Sequence, residues 1–168
     1  MTIEVRREWL WAAAATTVAV LLYGLGLAFS ARDGAGRPVL LLPDVRAVET
    51  YRQRALAWER DWTAIHLDLT TLLADEPADL LNQSRRAQSR LEQAVAIAQA
   101  VEGAQAPGVL IGLHDQALAA AGAFAHASAA VSRWLSAPSS TNEEAAQSAC
   151  QAAAVALAEL QGNERMAG

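Results

Sequence analysis

The groups able to do chemistry are few and far apart in the chain. Three histidines, His66, His114 and His126, and one cysteine, Cys150, are its only imidazole and thiol groups. A metal or haem held between helices needs such groups to converge, and the Glu-x-x-His pairs that ferritin-like carboxylate sites place on two helices are missing here. His66 and His114 both flank a helical core stripe. They fall about 22 and about 7 residues into helices expected to run the same way, so at about 1.5 Å per residue their heights differ by about 22 Å and shared ligation is excluded. His126 takes an outward position beside Phe124 and Ala127. No cofactor and no metal is expected.

Cys150 stands alone among alanines, so an intramolecular disulfide, a zinc cluster and a c-type haem attachment are all excluded. It reads as a small buried hydrophobe, with an intermolecular disulfide as the alternative. Glu59, Asp61 and Asp68 share a helix with His66, and Asp115 adjoins His114, but nothing in the spacing forces them into one cleft. No HExxH, Walker or nucleophile-elbow pattern occurs, and Gly34 and Gly36 run into Pro38 rather than into a helix after a strand. Missing motifs leave enzymatic activity without support but do not exclude it, and the balance leans toward a non-catalytic role.

Surface residues offer more. Arg85, Arg86 and Arg90 form a local basic cluster at helical spacing with Glu92 nearby, which reads as a solvated helix face rather than a phosphate site. Leu56 and Leu67 fall at outward positions of a long helix, where apolar side chains suit contact with a partner chain or a membrane surface. From Asp44 onward nine arginines face fifteen acids, a balance of −6, and every cation in the chain is arginine. A nucleic-acid partner needs the opposite sign to neutralise phosphates.

The elements that would position these residues are all helical. About a quarter of the 168 residues are alanine, and no alternating β-branched run announces a strand. Residues 9–29 carry no charge, and 21 residues at about 1.5 Å each match a hydrocarbon core of about 30 Å. Arg6 and Arg7 precede this run and Trp9 and Trp11 suit an interfacial belt. The organisation expected is a short cytoplasmic tail over 1–8, a transmembrane anchor over 9–30, a linker over 31–43, an exported domain over 44–162 and a frayed tail over 163–168. Membrane lipid is the partner of residues 9–30. The alternative is a cleaved signal peptide, since Ala28-Phe29-Ser30-Ala31 offers a small-x-small cleavage step near Ser30. In the linker, Val39 to Leu42 either tucks under the domain or rests at the lipid interface.

The first domain helix is expected from Pro43-Asp44 to Ala74, with Val48, Tyr51, Ala55, Trp58, Trp62, Ile65, Leu69 and Leu72 alternating steps of three and four. The second runs from Ala78 to Glu102 with Leu80, Ser84, Ala87, Leu91, Ala94, Ala98 and Val101 inward. The third runs from Pro107 to Ser136 with Leu110, Leu113, Ala117, Ala120, Phe124, Ala127, Val131 and Trp134 inward. The fourth runs from Asn142 to Gln161, capped by Ser140 with Glu143 or Thr141 with Glu144, and turns Ala146, Ala149, Cys150, Ala153, Leu157 and Leu160 inward. Short connections make neighbours antiparallel, giving an up-down-up-down four-helix bundle whose tryptophans pack as core plates against alanine.

Three functions compete. A membrane-anchored scaffold, interaction or accessory subunit on the outer face of a bacterial cytoplasmic membrane, N-terminus inside and domain in the periplasm or outside, fits the anchor and the filled core. A small-molecule-sensing four-helix domain resembles it in architecture, but only eight residues precede the anchor and such a sensor would need a separate signalling partner. A metal- or haem-binding bundle is the third.

Overall fold

The computed structural model describes residues 16–18, 20, 23, 31–32, 38–39, 43–74 and 79–166. The apolar run over 9–29 lies outside them except for Thr16, Thr17, Val18, Val20 and Tyr23, which are helical and exposed. Arg6, Arg7, Ser30, Leu40 to Leu42 and Asp75-Glu76-Pro77, expected to end the first domain helix, also lie outside the described residues. By internal contacts the chain divides into two compact units, Met1–Pro43 and Asp44–Gly168.

In the first unit, Ala31–Arg32 (β1) pairs antiparallel with Pro38–Val39 (β2), Ala31 opposite Val39 and Arg32 opposite Pro38. The sequence reading expected a linker here and no strand. Two-residue ladders need no hydrophobic alternation, so no periodicity announces them.

The second unit is all-α: α1 (Pro43–Ala74), α2 (Leu80–Glu102), a 3₁₀ turn (Gly108–Leu110) that leads into α3 (Ile111–Ser136), and α4 (Ser140–Gln161). Proline opens α1, where its missing N–H is no loss. Seven of the eight residues expected inward on α1, from Tyr51 to Leu72, are buried, and Val48 is half-buried against them. Trp62 stacks on Phe124 of α3 with ring centroids 6.1 Å apart and planes 7° from parallel, while Tyr51 and Trp58 meet edge to face at 5.9 Å. All six residues expected inward on α4 are buried.

Elsewhere the inward faces differ from the expectation. On α2, Gln83, Ala87, Ala94, Ile97 and Val101 are buried, whereas Leu80 is exposed and Ser84, Leu91 and Ala98 are half-buried. Alanines flank both candidate stripes, so the pattern carries little information about which of two adjacent rows points inward. On α3 the buried face is wider than one stripe, adding Ala121, Ser128, Ala130 and Leu135, while Trp134 is half-buried. The helix packs along both α2 and α4, and a single heptad seam serves only one neighbour.

Helix ends differ too. Asp79 caps α2, its carboxylate accepting from the Asn82 amide at 3.2 Å, so the helix begins two residues after the expected start. Ser139 caps α4, its hydroxyl accepting from the Asn142 amide at 3.2 Å, in place of Ser140 or Thr141. The Asn142 side chain donates to the Ala137 carbonyl at 2.7 Å and fixes that turn. Within the tail over 163–168, Asn163 Nδ2 donates to Gln116 Oε1 at 2.6 Å, Arg165 Nη1 donates to the Val109 carbonyl at 2.8 Å, and Met166 packs on the core.

Among the described residues, Gly108–Ser136 is the stretch long and apolar enough by length and composition to cross a membrane. Leu113, Phe124 and Val131 from that stretch are fully buried in the core of the second unit, which accounts for its apolar composition.

Candidate interaction surface

The residues that could do chemistry are held apart and largely occupied by structural contacts. Tyr51 Oη is hydrogen-bonded to His114 Nδ1 at 2.7 Å, a tie between α1 and α3. Burial, helped by the negative charge of Asp115, raises the Tyr51 phenol above its ordinary value. His66 meets the edge of Phe124 at 6.4 Å and also borders a shallow groove of ≈ 350 Å³ between α1 and α4, together with Thr70, Gln147 and Cys150. His126 is exposed. Burial pushes the Cys150 thiol up to about 11, so almost no thiolate exists at neutral pH and the group is a poor nucleophile. Among the described residues no three His, Cys, Asp or Glu side chains come together to hold a metal ion.

The basic cluster is divided by the helix it sits on. Arg86 Nη2 reaches Asp68 Oδ1 at 2.8 Å and Arg90 Nε reaches Asp68 Oδ2 at 2.7 Å, so one carboxylate of α1 clamps two arginines of α2. Arg90 also donates to Gln93 Oε1 at 2.6 Å. Arg85 points elsewhere, into an open depression lined by Ser84, Gln88, Glu92 and Ser132. Sequence reasoning missed Asp68 as the counter-charge, although it flanks the core stripe of α1 at a position from which charges reach a neighbouring helix. Partial burial pushes the Asp68 carboxyl up. Hydrogen bonds from Arg90 and Arg86, and their charges, outweigh this and hold it below its ordinary value.

The sign of that shift sets a pH dependence. A carboxylate lowered in the folded state stabilises the fold above its unfolded pKa, and that contribution disappears as pH falls through the folded value. Asp68→Asn is expected to cost about 1 kcal/mol at neutral pH, the upper end for partly exposed pairs. The difference from wild type should shrink as pH falls below the ordinary carboxylate value of about 3.9 and vanish once the folded-state carboxyl is protonated. Urea melts at several pH values measure it; a gap that is constant with pH would rule out the clamp.

The remaining outward face of α1 is unlike the clamp. Leu67 is 68 % exposed, and Leu56 is half-buried on the same side. Around Leu67 the threonine hydroxyls bond to their own helix: Thr63 donates to the Glu59 carbonyl at 2.9 Å, Thr70 to that of His66 at 3.0 Å and Thr71 to that of Leu67 at 2.7 Å. With their hydroxyls satisfied locally, these residues ask less of surrounding water than threonines usually do. The result is a surface patch of low polarity centred on Leu67.

No family model, no curated protein and no solved structure matches the chain. A functional reading therefore rests on the chain's own surface. Among the described residues that surface includes polar clamps between helices and a weakly polar patch around Leu67.

Proposed function

We propose that the chain is a non-catalytic, membrane-anchored four-helix bundle that presents the outward face of α1 to a protein partner on the outer side of a bacterial cytoplasmic membrane. The uncharged run over 9–29 supports the anchor, with the N-terminus inside and the second unit in the periplasm or outside.

Cross-helix pairs support an up-down-up-down order. Tyr51 pairs with His114 and Trp62 with Phe124, so residue numbers rise together along α1 and α3. Along α1 and α4 they run oppositely: Glu59 meets Gln161, whereas His66 to Ala74 border Gln147 to Gln151. Asp68 near the end of α1 meets Arg86 and Arg90 early in α2, as expected for antiparallel neighbours joined by a short turn.

The observation that carries the interaction reading is the exposed Leu67 among internally bonded threonines. A leucine there gains from being covered, and covering it leaves few hydroxyls unpaired. Leu67→Glu in the full chain is expected to abolish co-purification of the partner from mild detergent while the melting curve stays within about 0.5 kcal/mol of wild type, as for other surface changes. Arg85→Ala serves as the control that retains the partner. Recovery of the wild-type chain as a free monomer, or unaltered partner recovery with Leu67→Glu, would count against this face.

A further inference from the structure

Of the three clustered arginines, the fold leaves one free. Asp68 holds Arg86 and Arg90, whereas Arg85 has no ion pair or hydrogen bond among the described residues. It faces a depression of ≈ 400 Å³ between α2 and α3, lined by Ser84, Gln88 and Glu92 on one side and by Ser132 and Ser136 on the other. That volume suits a small molecule.

The depression is positive at one end and negative at the other. Arg85 and Glu92 lie seven residues apart on α2, which at about 1.5 Å per residue puts two turns and about 10.5 Å between them along the helix. Charges that pair on a helix surface are three or four residues apart, so neither of these two neutralises the other. Glu92 Oε1 accepts from Gln88 Nε2 at 3.0 Å, which leaves the Gln88 carbonyl oxygen free to accept. Ser136 Oγ donates to the Ser132 carbonyl at 2.8 Å and is left as an acceptor. Ser132 Oγ is buried without a hydrogen-bond partner in the protein. A buried hydroxyl calls for a partner, and one χ1 step re-aims it.

We propose that this depression binds a small zwitterion of the free amino-acid class, its carboxylate on Arg85 and its ammonium toward Glu92 and the Gln88 carbonyl. A plain anion such as phosphate would meet the like charge of Glu92, and a plain cation that of Arg85. Only a molecule carrying both signs answers both ends. Extended arginine and glutamate side chains cover most of the span between their backbones and leave a few ångströms for the ligand's own charge separation. The guanidinium grips a carboxylate with two parallel N–H bonds, which fixes the ligand's direction. Because α2 and α3 pack against each other, the lining groups stand on rigid elements. The Leu67 face takes no part, so the site stands apart from the one proposed for a protein partner.

The test uses the full chain in mild detergent with free L-amino acids at millimolar concentration as probes and melting followed by tryptophan fluorescence as the first readout. At least one is expected to raise the melting temperature, and titration calorimetry then gives its Kd. Two derivatives of that amino acid isolate the charges: the N-acetyl form lacks the ammonium and the methyl ester lacks the carboxylate. Each is expected to bind about tenfold or more weakly. Arg85→Ala and Glu92→Gln are expected to weaken the free amino acid by a similar factor. Both side chains are exposed, so the unliganded variants should melt as wild type does. Ser132→Ala is expected to weaken binding without lowering the unliganded melting temperature, which separates a hydroxyl that serves a ligand from one that serves the fold. A chain that no amino acid stabilises overturns the proposal. So does an N-acetyl derivative that binds as well as its parent, which would mean a simple anion site, and so does binding that Arg85→Ala leaves unchanged.

Discussion

Replacing Trp62 with alanine is expected to destabilise the second unit by about 3–5 kcal/mol, close to the limit for a single core truncation. The indole is fully buried and lies flat on Phe124 at 6.1 Å, so its loss removes both buried area and a ring pair. The surroundings decide the magnitude. Ala55, Ala120 and Ala127 are fully buried in the same core, and short side chains cannot swing into the void as leucine or methionine would. The cavity therefore stays open and the cost lies toward the upper end of the range. Trp62→Phe is expected to cost much less, because Trp62 Nε1 is buried without a hydrogen-bond partner and the smaller ring removes that unsatisfied donor. Urea denaturation followed by circular dichroism measures both variants. A loss under about 1 kcal/mol for Trp62→Ala would remove the indole from the core.

How far the fold could be read from the sequence varies with side-chain size. On α1 large and polar residues alternate sharply, Trp58 and Trp62 inward against Glu59, Arg60 and Asp61 outward, and the stripe comes out correctly along the helix. On α4 charged and amide residues such as Glu144, Gln147 and Gln151 mark the outer face and leave one row for the core. On α2 the rows through Gln83 and Ser84 are both mixed, and the inward one is chosen by how α3 approaches rather than by composition. The cap of α4 was ambiguous because Ser139, Ser140 and Thr141 all have suitable hydroxyls. The Asn142 side-chain bond to Ala137 that favours the first is a tertiary detail of the turn.

The candidate surface follows the same rule. Leu67 stands out in sequence as a large apolar residue on a charged face, and it is exposed in the structure. The depression between α2 and α3 could not be read, because Arg85 and Ser132 come from two helices and meet only when these pack together. The clamp on Asp68 shows a related gap. The carboxylate lies 18 and 22 residues from its arginines, and sequence separation alone does not fix the register of two helices.

The abundance of alanine raises a question that one substitution can decide. Alanine is the best helix former, so its frequency could reflect propensity alone, yet on α3 the fully buried Ala117, Ala120 and Ala127 occupy the same core as the large rings of α1. If packing is the cause, Ala127→Leu is expected to destabilise by about 1–3 kcal/mol through overpacking, although leucine is nearly as good a helix former. The exposed Ala119 of the same helix provides the comparison, and Ala119→Leu is expected to stay within about 0.5 kcal/mol of wild type. Two equal effects would mean that alanine is present for its helix propensity. A large effect at 127 alone would mean that the small side chains set the spacing between α1 and α3, and so the surface on which Leu67 is displayed.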